Sequence, residues 1–83
     1  MHELGVLCQA VRMVERIAKE QKIPQVHHIT LEVGEDSGYV PAFLEKLFPV
    51  AVDRSPVMRY AQLRLCMVAG EGLVVKEIGY EKR

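Results

Sequence analysis

Apolar residues recur at spacings of three and four from the start of the chain: Leu4, Leu7, Cys8, Val11, Val14, Ile17 and Ala18. That spacing lines one face of a helix, and Arg12, Glu15, Arg16, Lys19 and Glu20 fall mainly on the other. The predicted helix runs from His2 to about Lys22. Glu3 in its first turn and Lys19 and Lys22 in its last suit the helix dipole, and Pro24 marks its stop. The pattern then changes period. Val26 to Val33 alternates, which predicts a strand with His27, Ile29, Leu31 and Val33 on its core face and Val26, His28, Thr30 and Glu32 on the other. Gly34-Glu35-Asp36-Ser37-Gly38 follows as a turn. Pro41 suits the first turn of a second helix whose apolar members are Phe43, Leu44, Leu47 and Phe48. Pro49 has no N–H for the Glu45 carbonyl, so this helix is expected to kink or stop there, with a separate turn reaching Val52. Tyr60 to Val68 alternates again, with Ala61, Leu63, Leu65 and Met67 inward and Gln62, Arg64 and Cys66 outward. Gly70-Glu71-Gly72 reads as a hairpin turn into a returning strand, Leu73 to Glu81.

The predicted order is helix, strand, helix, strand, strand. It implies one α+β domain, residues 1–83, with a three-stranded sheet and two helices on one face. The strand–helix–strand crossover allows a parallel pair, and the final hairpin is expected to be antiparallel.

The chemistry available is limited. Eleven basic and eleven acidic residues cancel, and no basic stripe is present, which argues against a nucleic-acid partner. The same balance gives little protection against self-association, so a homodimer is compatible with the sequence. No stretch is long and apolar enough to span a bilayer and the start lacks a signal-peptide pattern, which leads to the expectation of a cytoplasmic protein without a membrane partner. Cys8 and Cys66 lack Cys-x-x-Cys spacing, so neither a zinc knuckle nor a disulfide is expected. Ser37 and Ser55 lie in turns without a neighbouring histidine, and nothing else offers a nucleophile with its base. The protein is not expected to be an enzyme.

One stretch carries candidate chemistry. Met1-His2-Glu3 brings an α-amine, backbone amides and an imidazole together at the mouth of the first helix. Chelation by the Met1 amine and the His2 amide nitrogen closes a five-membered ring, and His2 Nδ1 adds a six-membered one. Three nitrogens then lie near a plane, with the fourth position open to the Glu3 amide or an incoming side chain. Square-planar nitrogen coordination suits Ni(II) or Cu(II) better than zinc, and binding should strengthen as pH rises because the ligands must lose protons. His27 and His28 point to opposite faces of a regular strand and cannot hold one ion together. His28 is read as solvated and His27 as lying at the core edge. Either could complete a nickel site only as an added ligand.

With these elements placed, the sequence resembles the HypA family of hydrogenase and urease nickel-incorporation proteins. The matching residues are Met1-His2-Glu3-Leu4, Leu31-Glu32-Val33-Gly34-Glu35 followed by Ser37-Gly38, the proline-led helix at Pro41, and Val74-Val75-Lys76-Glu77-Ile78. The resemblance implies a nickel-binding, metallochaperone-like accessory protein that acts in maturation of [NiFe]-hydrogenase or urease with a GTPase partner. It implies metal binding through Met1, His2 and Glu3. The family's zinc domain, with its two Cys-x-x-Cys pairs, is replaced here by the few residues 68–72, so zinc is not expected. Asp36 stands where the family tends to have leucine. Val40 stands where an aspartate commonly caps the second helix, a change expected to cost about 1 kcal/mol. The alternative is an interaction module that kept the fold and lost the metal task, docking through the sheet edge or the first helix, with Tyr39 and Tyr60 as anchors.

Overall fold

The computed structural model of the chain describes residues 2–81. It contains α1 (Glu3–Gln21), β1 (Val26–Gly34), α2 (Pro41–Val52), β2 (Gln62–Val68) and β3 (Leu73–Tyr80), in the expected order. α1 ends on Lys22, whose φ of 57° places it in the left-handed region. Ile23 N–H then donates to the Ala18 carbonyl at 2.8 Å and closes the helix end. A lysine pays a steric penalty there that glycine does not. Lys22→Gly is therefore expected to stabilise the protein by about 1 kcal/mol, read as a higher urea midpoint.

The sheet order is β2-β1-β3. β1 pairs parallel with β2 and antiparallel with β3. The expected hairpin between the last two strands is not formed, because β1 lies between them. The burial pattern explains this placement. Val26, Ile29, Leu31 and Val33 of β1 are wholly buried, whereas no residue of β2 or β3 is. The most apolar strand takes the centre and the two half-exposed strands take the edges. Ala69 to Gly72 must then cross the end of β1 instead of turning back beside β2. Gly34 N–H donates to Gly72 O at 2.7 Å, Glu35 N–H to Val68 O at 2.7 Å and Asp36 N–H to Gly70 O at 2.8 Å. Gly34 lies directly beneath this crossing, and a Cβ there would collide with the Gly70 carbonyl group and the Glu71 nitrogen.

Both helices cover one face of the sheet. Leu7, Val11, Val14 and Ala18 of α1, Leu44, Phe48 and Val52 of α2, and Met58 share one core with Ile29, Leu31 and Val33. In α2 the inward line is Leu44, Phe48, Val52, at four-residue spacing, which leaves Phe43 52% exposed on the flank. α2 continues through Pro49 to Val52 without a break. Only the bond to the Glu45 carbonyl is lost there, on an exposed turn, while the buried Phe48 and Val52 on either side hold the last turn in place. Met67, expected inward, is 44% exposed.

Two bulges set the faces of the sheet. His27 is an extra residue in β1 between the pairs Val26–Tyr80 and His28–Gly79, and Lys76 is an extra residue in β3 between Thr30–Glu77 and Leu31–Val75. The first bulge resets the alternation, so Val26 is buried like Ile29 and the histidine assignments reverse. The His27 side chain is exposed and 3.5 Å from Glu81, while the His28 ring is the more covered of the two. His28 lies over Gly79 on the helix-free face, with Arg64 Nη1 at 3.3 Å and Glu77 Oε1 at 3.5 Å from its Nε2. Among the described residues no helix is long and apolar enough to cross a membrane.

Candidate metal centre

α1 begins where its sequence allows nitrogen donors to remain available. The first amides of a helix have no intrahelical acceptor, and the first bond of this type in α1 runs from Val6 N–H to the His2 carbonyl at 3.0 Å. His2 occupies the N-cap position and is exposed, and its side chain makes no capping hydrogen bond. The His2 carbonyl is thus taken by the helix, while its imidazole is not engaged in capping. Met1, the remaining member of the predicted set, lies outside the described residues.

Glu3 differs from what its charge suggests. It is only 5% exposed, and its Oε2 accepts a hydrogen bond from the Val40 N–H at 3.0 Å. Val40 is the N-cap of α2 and has no capping side chain of its own. A glutamate on α1 therefore satisfies an amide at the mouth of α2, the service that a capping-box glutamate performs within one helix. This bond does not replace the missing side-chain cap of α2, which would accept from an amide of the first turn; it answers the Val40 N–H instead. Sequence reasoning placed Glu3 in the site and Val40 at the cap but did not pair them. Their separation of 37 residues leaves no local pattern to detect.

The Val40 amide holds the Glu3 carboxyl below its ordinary pKa, against the opposing effect of burial, with the Glu3 amide and the nearby His2 contributing in the same direction. The consequence for stability has a definite sign. The contribution is fully present above the unfolded carboxyl's value near pH 4 and is lost as pH falls through the lower folded value. Urea unfolding of metal-free protein between about pH 6 and about pH 3 should show this acid-side loss, and Glu3→Gln should flatten it.

The two strand histidines do not join this centre. Contact between Glu3 and Val40 puts the start of α1 beside the start of α2, at the end of the fold where β1 finishes. His27 and His28 stand at the other end of β1, a nine-residue strand, which separates them from His2 by on the order of 20 Å. Among the described residues no group of three histidine, cysteine or acidic side chains could hold a metal ion. Cys8 and Cys66 are both free and half-buried. Tyr60 is 74% exposed with the Arg59 guanidinium 5.5 Å from its ring centroid, whereas Tyr39 packs against the core.

Comparisons with known proteins bear on this arrangement. The "Solution structure of the Ni metallochaperone HypA from Helicobacter pylori" superposes with a TM-score of 0.79 at 13% identity, covering 96% of this chain and 97% of that one. A second structure, "Solution structure of HypA protein", gives 0.69 at 14% identity, covering 99% and 93%. At these identities the likeness shows the fold. In sequence, the chain is 38% identical over 55 residues to the "Hydrogenase maturation factor HypA" of Methanosarcina barkeri (strain Fusaro / DSM 804). That match spans 66% of this chain and 41% of the relative. The family model described as "Hydrogenase/urease nickel incorporation, metallochaperone, hypA" matches residues 1–78. With nearly its whole length matched by that model and its fold shared with solved members, the chain belongs to the HypA family of hydrogenase/urease nickel-incorporation metallochaperones.

Proposed function

We propose that the chain binds Ni(II) as cargo through the Met1 α-amine, the His2 amide and His2 Nδ1, with Glu3 orienting the site and the fourth position left to an incoming side chain, and passes it on during maturation of [NiFe]-hydrogenase or urease. It acts in the cytoplasm as an accessory protein with a GTPase partner, and its task is binding and transfer, not catalysis. The observation that carries this reading is the state of His2, exposed at the N-cap of α1 and unused as a cap. A helix start offers amide nitrogens that the helix does not claim, and an imidazole beside them completes a planar nitrogen set suited to Ni(II). The Glu3 carboxylate accepts the Val40 N–H and ties the first residue of α1 to the mouth of α2. The connection from β2 to β3 contains neither cysteine nor histidine between Ala69 and Gly72, and zinc has no part in this proposal. Residues 1–83 act as one nickel-binding domain.

The test is a Ni(II) titration of untagged protein with its native Met1, followed by visible absorbance. A yellow square-planar band saturating at one equivalent is expected. His2→Ala should lose it with little change in the urea midpoint, because His2 is exposed and its side chain makes no capping hydrogen bond. A band that persisted unchanged in His2→Ala would overturn the site. No band in the unaltered protein would favour a protein-interaction module built on the same fold.

A further inference from the structure

We infer that the free edge of β3 docks a second copy of this chain, which adds its own β3 antiparallel about a two-fold axis passing between residues 76 and 77. The two three-stranded sheets then continue into each other. Nickel plays no part in it.

β3 is an edge strand, with β1 on one side and, among the described residues, no strand on the other. Its outer N–H and C=O groups are a template for another strand. The strand is eight residues long and without proline, and it exposes Val74 and Tyr80. Its bulge gives it an unusual symmetry. Lys76 is the extra residue between the pairs Thr30–Glu77 and Leu31–Val75, so the alternation of faces breaks there. Lys76 reaches Glu32 at 3.6 Å, and Glu77 reaches His28 at 3.5 Å and Thr30 at 3.4 Å, which puts both charges on the helix-free face. Val74 and Gly79 share that face, being paired with Glu32 and His28. Leu73, Val75, Ile78 and Tyr80 are paired with the buried Val33, Leu31, Ile29 and Val26 and lie on the helix-covered face. The order of faces is therefore the same read from either end of β3.

A strand with that order can pair with its own copy about the midpoint, every side chain meeting one on its own face. Leu73 then stands opposite Tyr80, Val75 opposite Ile78, Val74 opposite Gly79 and Lys76 opposite Glu77, each twice. The charges that would guard the edge instead meet their opposites. An axis through Lys76 or Glu77 would set like charges against each other, so charge selects this register. α1 supplies the rest of the surface. Val6, Ala10 and Met13 form an apolar groove with Leu73, Val74 and Val75 along the same edge, and Met13 is 41% exposed. Tyr80 of the second copy, opposite Leu73 on the helix-covered face, comes to this groove. Eight strand residues a side fall well below the roughly 20–30 of a standard interface, so association requires high protein concentration.

Sedimentation equilibrium of untagged protein in chelator, between about 10 μM and about 1 mM, should show the mass rising from one chain toward two. Glu77→Lys and Lys76→Glu should each weaken association about tenfold or more, because each sets like charges opposite at two places. The variant carrying both substitutions should recover to within about threefold. Both side chains are more than half exposed, and urea midpoints check that the variants stay folded. In the unaltered protein, amide exchange should slow along β3 as concentration rises and stay constant along β2. A monomer throughout the range would overturn the inference and leave the edge to a strand of another protein. A dimer indifferent to Glu77→Lys, or protection gained along β2, would also overturn it. Failure of the folded double variant to recover would overturn the register and the axis with it.

Discussion

Gly34→Ala is expected to destabilise the protein by about 3 kcal/mol, against a total of roughly 4–12 kcal/mol for a chain of this size. Three observations define the mechanism. Gly34 ends the central strand and is buried. The chain from β2 to β3 passes over it, tied down by bonds from Gly34, Glu35 and Asp36 to Gly72, Val68 and Gly70. A Cβ at position 34 would meet the main chain of Gly70 and Glu71. A flexible side chain could rotate away from an added methyl group, but a main chain held by three hydrogen bonds cannot. Relief therefore requires breaking the crossing. The matched control is Gly72→Ala, where a Cβ meets nothing within 4 Å, and its cost should stay within about 0.5 kcal/mol. Urea unfolding of both variants makes the comparison. Equal midpoints would show that the crossing tolerates the methyl group and that Gly34 is not required by it.

Extending the chain by four residues ahead of Met1, with none of them histidine, is expected to weaken Ni(II) binding about a hundredfold or more while leaving the unfolding midpoint unchanged. The α-amine becomes an ordinary amide and the new terminus lies too far away to close a five-membered ring. What remains is a single imidazole without its chelating neighbours, and the advantage of linked donors, about 10²–10⁴ in favourable cases, is lost. The length of the extension matters. One added residue would make His2 third in the chain, and the new amine, two amides and the imidazole would form a chelate of four nitrogens. A one-residue scar would thus create a site instead of removing one. The measurement is the same visible titration, and full binding by the four-residue extension would exclude the α-amine from the ligand set.

The two predictions lie at the same end of the molecule and have different causes. Gly34 precedes the turn that leads to α2, and Glu3 reaches Val40, the N-cap of α2. The crossing is tied to the end of β1 by its own hydrogen bonds, and the beginning of α1 is tied to Val40 by another. A change at Gly34 should therefore affect stability before it affects metal binding, and a changed amino terminus should affect only the metal.

Much of this was legible from local pattern. The three-to-four spacing of Leu7, Val11, Val14 and Ala18 defines α1, the proline at 41 opens α2, and the alternations at Ile29–Val33 and Leu63–Leu65 define strands, because burying one face imposes its own period on each element. The chelating potential of Met1-His2-Glu3 is also local, since ring size depends only on adjacent atoms along the chain. Strand order was not local. A short glycine-containing link reads as a hairpin, yet the gain from burying β1 on both sides places that strand between its two neighbours and sends the link over Gly34. The faces of His27 and His28 depended on a bulge, which one extra residue creates and which alternation cannot reveal before the partner strand is known. The role of the Glu3 carboxylate depended on where α2 begins in space. Sequence by itself determined which segments form helices and strands. Only the tertiary structure decided which strand lies at the centre and which amide the buried carboxylate answers, because both are contests between groups distant in sequence, settled by burial and by the need to pair every buried polar group.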